Sequence, residues 1–84
     1  MNNITAELTG WSRESFGKFK FLMGKINFDT KERWPNGTRI HTSYIVHEED
    51  AGDYIIFTTR NSVYQCAKHQ EVQGGQKISK SQGG

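Results

Sequence analysis

Apolar side chains recur at two-residue intervals along much of the chain, the spacing of β-strands. In "NITAELTGW" the residues Ile4, Ala6 and Leu8 alternate with Thr5, Glu7 and Thr9. The period predicts a strand, although Ala, Glu and Leu also suit a helix, and Gly10 is expected to end either one. In "SRESFGKFKFLMGKINFD" the positions Phe19, Phe21 and Met23 alternate, and Ile26 and Phe28 then take up the opposite phase. One extra residue near Gly24 would give that shift, since glycine suits a bulge. One bent strand or two short ones are predicted over 17–28. A short helix begun at Ser12 is the lesser alternative, because Gly17 would interrupt it within two turns.

"DTKERWPNGT" reads as a loop. Pro35 fixes its own φ and biases Trp34 toward extended geometry. Asn36-Gly37 tolerates the positive φ of a tight turn. A strand is predicted over 38–47, with Ile40, Thr42, Tyr44 and Val46 on one face and Arg39, His41, Ser43 and Ile45 on the other. An acidic turn follows over 48–53, with Gly52 as its positive-φ residue. "YIIFTTR" is a strand by its β-branched and aromatic content. Arg60-Asn61-Ser62 is a turn, and "VYQCA" is a short last strand. Residues 38–68 then form a three-stranded meander with hairpins at the acidic turn and at Asn61. Thr42 is expected to hydrogen-bond within the sheet through its hydroxyl while its methyl packs. Thr42, Ser43, Thr58 and Thr59 together suit a sheet face that is partly covered.

The predicted fold is all-β: a small antiparallel curved sheet or SH3-like open barrel of about five strands. Eighty-four residues make one small domain. A domain of this size has a thin margin of burial, which large aromatic side chains offset. The five Phe, three Tyr and two Trp all fall between Trp11 and Tyr64, and the core is expected in that span. The domain is assigned to residues 1–73. Residues 74–84 are poor in apolar side chains and rich in Gly, and are expected to form a flexible tail.

Charge and cysteine content narrow the function classes. A net charge of +2 excludes a DNA mimic, which needs a dense acidic surface. It also falls short of the field of a dedicated duplex binder. One cysteine, Cys66, cannot form an internal disulfide. No apolar run approaches the roughly 20 residues of a membrane span, and the amino terminus lacks the pattern of a signal peptide. A soluble cytoplasmic protein with no membrane partner is expected.

Candidate chemistry is sparse. Cys66 and His69, with His41 and His47, do not make the paired four-ligand spacing of a zinc site. They read as a half-buried thiol and three surface histidines. Glu48, Glu49, Asp50 and Asp53 sit at a solvated hairpin tip, which is not the enclosing pocket that paired catalytic carboxylates need. Asp29 and Glu32 flank the Trp34 loop but are too few to hold a cation well. Ser43 and Cys66 lack a nucleophile elbow, and no glycine-rich loop runs from a strand into a helix. No catalytic residue, metal or cofactor is therefore assigned. Lys18, Lys20, Lys25, Lys31, Arg33 and Arg39 interleave with Phe16, Phe19, Phe21 and Trp34. Small barrels bind single strands with such sets, but the commoner reading buries the phenylalanines in the core.

The block from Met23 to Cys66 resembles a pattern found in small uncharacterised proteins of bacteriophages and prophages. The resemblance rests on Gly24-Lys25-Ile26, Trp34-Pro35-Asn36-Gly37, Ile40-His41-Thr42-Ser43 and Thr59-Arg60-Asn61-Ser62-Val63-Tyr64. It implies a compact β domain with a phage-type accessory role in the host cytoplasm, and it brings no catalytic residues with it. On that basis the expected action is non-catalytic: binding a host protein, for example a defence factor, and modulating or inhibiting it by covering its surface. Exposed Trp and Tyr beside Arg make good interface anchors. Arg33, Trp34, Arg39, Tyr44 and Arg60 are the expected contact residues. The alternative is a small β barrel that binds single-stranded nucleic acid. A minimal enzyme ranks last, since so short a chain can barely enclose a pocket. Edge pairing into a homodimer would add burial to a marginal core.

Overall fold

The computed structural model describes residues 3–72. The tail assigned to 74–84 lies outside the described residues. Six strands form one mixed sheet: β1 (Ala6–Phe16), β2 (Phe19–Asn27), β3 (Thr38–His41), β4 (Ile45–Ala51), β5 (Tyr54–Thr59) and β6 (Val63–Ala67). A 3-10 turn, Lys68–Gln70, follows. The expected all-β fold is present, with six strands in an open sheet.

The strand order is β3-β2-β1-β6-β5-β4. Two antiparallel meanders, β1-β2-β3 and β4-β5-β6, lie side by side and join where β1 pairs β6 in parallel. That central pairing sets Ala6 opposite Tyr64 and Leu8 opposite Cys66. The predicted meander in the second half is therefore present, but its first strand is shorter than expected. The strand expected over 38–47 is broken at 42–44. Its first part pairs with β2 and its last part with β5, at opposite edges of the sheet. The acidic residues 48–51 belong to β4, and the turn proper is Gly52-Asp53, with Gly52 at φ +83.

This connectivity forces the sheet to curl. In a flat sheet the outer strands would lie about 24 Å apart at ~4.8 Å per strand. The link from His41 to Ile45 spans four Cα steps, at most about 14 Å. The two edges must therefore approach each other. Thr42 forms the splice. Its N–H donates to Leu22 O at 2.9 Å, and its Oγ1 accepts from Leu22 N–H at 3.0 Å and donates to Ser43 O at 2.7 Å. The expected in-sheet role of the Thr42 hydroxyl is met. Thr42→Val keeps the shape and orphans the Leu22 N–H, so a loss of about 1–3 kcal/mol is expected in urea unfolding. An unchanged midpoint would contradict the role given to the hydroxyl.

The core gathers Ala6, Leu8, Trp11, Leu22, Ile26, Ile40, Ile55, Phe57, Tyr64 and Cys66, with Ile45 packed against it. On β2 the buried phase is Leu22, Gly24 and Ile26, so Phe19, Phe21 and Met23 point the other way. The bulge expected in β2 lies in β1. Thr9 pairs with Lys25 and Ser12 with Met23, so Gly10 and Trp11 together oppose Gly24. Gly10, at φ +53, supplies the left-handed residue of that bulge. The strand thus runs through Gly10 where the sequence predicted a stop, and "SRESF" is strand. A Cβ on Gly24 would sit 3.0 Å from the Trp11 Cα and Cβ, so glycine is required there by close approach.

Arg13 closes one side of the core. Its guanidinium carbon lies 5.2 Å from the Phe57 ring centre and 5.8 Å from that of Trp11. It donates to both oxygens of Glu48 at 3.0 Å and to Glu71 at 3.4 Å. Glu48, Glu49 and Asp50 line the edge strand β4. Charges on an edge discourage pairing with another chain.

Candidate functional site

The outer face of β2 and β3 follows from register. Residues directly opposite in antiparallel strands share a face. Phe16 pairs with Phe19, Glu14 with Phe21, Met23 with His41 and Lys25 with Arg39. With Leu22, Gly24 and Ile26 committed to the core, these side chains form one row on the other side.

That row is aromatic at the hairpin end and basic beyond it. Phe16 is 71% exposed and Phe19 47%. The expectation that these phenylalanines fill the core is overturned, because Leu22 and Trp11 occupy the space. Phe19 stacks on Tyr44, with centroids 4.7 Å apart and planes 15° apart. The Lys18 ammonium lies 5.9 Å from the Phe19 centroid. Phe21 meets His41 edge-on at 6.2 Å. Lys18, Lys20, Lys25, Arg39 and Arg60 are exposed and enter no ion pair among the described residues. Glu48 and Asp50 are taken up by Arg13 and Lys68. Glu14, in the same row, accepts a hydrogen bond from Ser12.

Three adjoining depressions meet at His41. One of about 450 Å³ is lined by His41, Thr42, Ser43, Tyr44, Arg60 and Asn61. A second of about 240 Å³ adds Phe16 and Phe21. A third of about 290 Å³ adds Trp34, Arg39 and Ile40. Four of the five predicted contact residues, Trp34, Arg39, Tyr44 and Arg60, therefore share one continuous surface around a histidine.

Arg33, the fifth, has a different task. Asp29 is buried and holds it: Asp29 Oδ2 accepts from Arg33 N–H at 2.8 Å and Nε at 3.0 Å, and Oδ1 accepts from Nη2 and from Lys31 N–H, both at 3.1 Å. The Arg33 hydrogen bonds pull the Asp29 carboxyl down to about 2, and burial opposes this without winning. Arg33 also reaches Ser62 Oγ at 3.2 Å, and Lys31 reaches Asn61 O at 2.7 Å. These bonds tie the β2–β3 loop to the β5–β6 turn. The guanidinium carbon of Arg33 lies 4.7 Å from the Trp34 ring centre. Arg33 thus backs Trp34, which is displayed at 37% exposure. The loop also turns through positive φ at Phe28 and Glu32 (+55° and +54°). The Phe28 N–H donates to Asn36 Oδ1 at 2.7 Å.

The remaining chemical candidates are kept apart. Cys66 is wholly buried, where half-burial was expected, and burial pushes its thiol far above the ordinary range. His41, His47 and His69 are exposed. No hydrogen bond joins Ser43 to a histidine among the described residues; its Oγ is buried without a partner. No three metal-ligating side chains cluster among the described residues, and no helix there is long and apolar enough to cross a membrane.

Comparison of the chain with protein-family models, with curated proteins and with solved structures returned no match.

Proposed function

We propose that this protein is a non-catalytic accessory protein that binds a single-stranded nucleic acid across the outer face of β2 and β3. Bases stack on Phe16 and on the Phe19–Tyr44 pair, and the phosphates run beside Lys18, Lys25 and Arg39. One observation carries the reading: two phenylalanines stand in solvent on a regular strand face beside cations that enter no ion pair among the described residues. Such a pairing of aromatic platforms with a basic track suits unpaired strands.

The test is fluorescence anisotropy of a labelled oligonucleotide against salt. Affinity is expected to fall steeply as salt rises, since binding releases counterions from the strand. Phe16→Ala should weaken binding by roughly 5–150-fold, the range for loss of one stacked base. Its unfolding midpoint should barely move, because an exposed side chain contributes within about 0.5 kcal/mol. No anisotropy change at low salt, or full affinity in Phe16→Ala, would defeat the reading.

A second reading has its own support. The Asp29–Arg33 clasp presents Trp34 on a fixed loop, and Trp beside Arg is a frequent anchor of protein interfaces. With the resemblance to phage proteins, this favours a host protein as partner, modulated or inhibited in the host cytoplasm. Complex formation that resists salt and is lost in Trp34→Ala would select it.

A further inference from the structure

We infer that the cross-strand pair Lys25–Arg39 is a binding site for a phosphomonoester: the terminal phosphate of a single strand, or the phosphate of a free nucleotide. For the strand end the inference rests on the nucleic-acid reading above; for the free nucleotide it does not.

Register builds the site. Thr42 N–H donates to Leu22 O at 2.9 Å, which makes these two residues a hydrogen-bonded pair. Hydrogen-bonded and non-hydrogen-bonded pairs alternate along an antiparallel ladder. Met23–His41 and Lys25–Arg39 are then the non-hydrogen-bonded pairs, with Cα atoms about 4.5 Å apart and side chains at their closest. Both pairs face outward, since Gly24 and Ile40 between them are buried and the His41 ring meets Phe21 on that face. On β1 the neighbour of Lys25 is Thr9. The Thr9 hydroxyl accepts from Asn27 Nδ2 at 3.1 Å and keeps its own proton for donation. Thr9, Lys25 and Arg39 thus lie in one line across three strands, and Arg39 shares the lining of one depression with His41.

The charges ask for an anion. Like charges directly opposite each other destabilise an antiparallel pair. Lys25 and Arg39 are exposed, and neither enters an ion pair among the described residues. Register puts two carboxylates on this face. Glu14 lies two rows away beside Phe21, and Glu7 lies diagonal to Lys25 on the side away from Arg39. A phosphodiester carries one charge and offsets one cation of the pair. A phosphomonoester carries about −1.5 to −2 at neutral pH, with three acceptor oxygens, and offsets both. Position points the same way. The pair stands about 20 Å from Phe19 along β2, at ~3.4 Å per residue. Beyond it the face turns to Glu7 and Asn27 and then to the β2–β3 loop. A strand laid from the hairpin tip therefore makes its last favourable phosphate contact here, at its end.

Two measurements on the full chain test the site. The first is the urea midpoint at fixed ionic strength with thymidine 5′-monophosphate or with thymidine. The nucleotide should raise the midpoint and the nucleoside should not, because a ligand stabilises the folded state that binds it. In Arg39→Gln the rise should vanish while the unliganded midpoint holds or increases, since a repelling charge is gone. A merely structural arginine would lower it. The second is anisotropy of a six-thymine oligonucleotide with a phosphate at the 5′ end, at the 3′ end or at neither, labelled at an unphosphorylated end. A phosphate at one of the ends should tighten binding roughly tenfold or more, as charge-assisted hydrogen bonds do. It should also steepen the salt slope by about 0.7. Arg39→Gln should erase that advantage, whereas Phe16→Ala should weaken all three strands and keep it. Either response, if lost in Arg39→Gln, upholds the site. Responses that persist in Arg39→Gln, or no response in either measurement, overturn it, and binding of the unphosphorylated strand then leaves the stacking face standing. A nucleotide response lost in Arg39→Gln, with no oligonucleotide bound at low salt, keeps the site for free nucleotides and removes the nucleic-acid reading.

Discussion

Trp11→Ala is expected to leave little folded protein at room temperature. The side chain is fully buried. Its ring meets Phe57 edge-on at 5.5 Å, and its Nε1–H donates to Ala67 O at 2.8 Å inside the core. Truncating a buried Trp costs about 3–5 kcal/mol. The orphaned Ala67 carbonyl adds a penalty of about 1–3 kcal/mol. A chain of this length has about 4–13 kcal/mol in total at ~0.05–0.15 per residue. Loss of the near-UV circular dichroism and of a cooperative urea transition would register the effect. Trp11→Phe supplies the control. It keeps most of the packing and loses the hydrogen bond, so it should fold with a lower midpoint. A Trp11→Ala protein with an unchanged midpoint would show that the bulge is not organised around this residue.

Trp11 also marks where the sequence could be read and where it could not. Period-two alternation identified the strands of the second half, because β5 and β6 are short and bounded by turn residues. The same rule failed in the first half for two reasons. Gly10 resembles a terminator, but a left-handed glycine within a strand also makes a bulge, and only the pairing with β2 separates the two cases. On β2, both phases of the alternation are apolar: Phe19, Phe21 and Met23 on one side, Leu22 and Ile26 on the other. Size favoured the phenylalanines for the core. Close approach of Trp11 to Gly24 selected the other phase, and that contact is long-range. The break at 42–44 was hidden likewise, because Thr42 and Ser43 are good strand residues, and the splice depends on where Leu22 lies.

The candidate site was legible in part for the same reason. Trp34, Arg39, Tyr44 and Arg60 carry local signals: an aromatic after a loop, or a cation beside a turn. From sequence, Phe16 and Phe19 suit single-strand binding but are expected in the core, and His41 reads only as a surface histidine. Their exposure depends on the phase of β2 and on the crossing of β3 to β4. A usable signal was present in "SFGKF". A glycine-lysine turn between two phenylalanines places both at a hairpin tip, far from any core a small sheet can build.

Asp29 should make the stability of the domain fall in acid in a way that one substitution removes. Its side chain is 1% exposed and accepts four hydrogen bonds, two from the backbone N–H groups of Lys31 and Arg33 and two from the Arg33 guanidinium. The folded-state value of about 2 lies below the ordinary 3.8, chiefly through the Arg33 side chain. Because the folded value is the lower one, the charged carboxylate favours the folded state. The contribution is complete above about pH 5 and fades as the pH falls through 4 toward 2, where the folded form also takes up a proton. The difference corresponds to a loss of about 2 kcal/mol. Urea midpoints from pH 7 to pH 2 should therefore fall more steeply for the native chain than for Asp29→Asn, the gap closing at the acid end. Other carboxylates titrate in both proteins, so the difference between the curves isolates Asp29. Asp29→Ala should cost about 2 kcal/mol or more at neutral pH, since two backbone N–H groups and the Arg33 fork lose their acceptor. It should also weaken whatever contact Trp34 makes, because Arg33 would no longer be fixed behind the ring. Parallel curves for the native chain and Asp29→Asn would mean that the clasp adds nothing, and that the loop is held by its turn residues and by the bonds to Asn61 and Ser62.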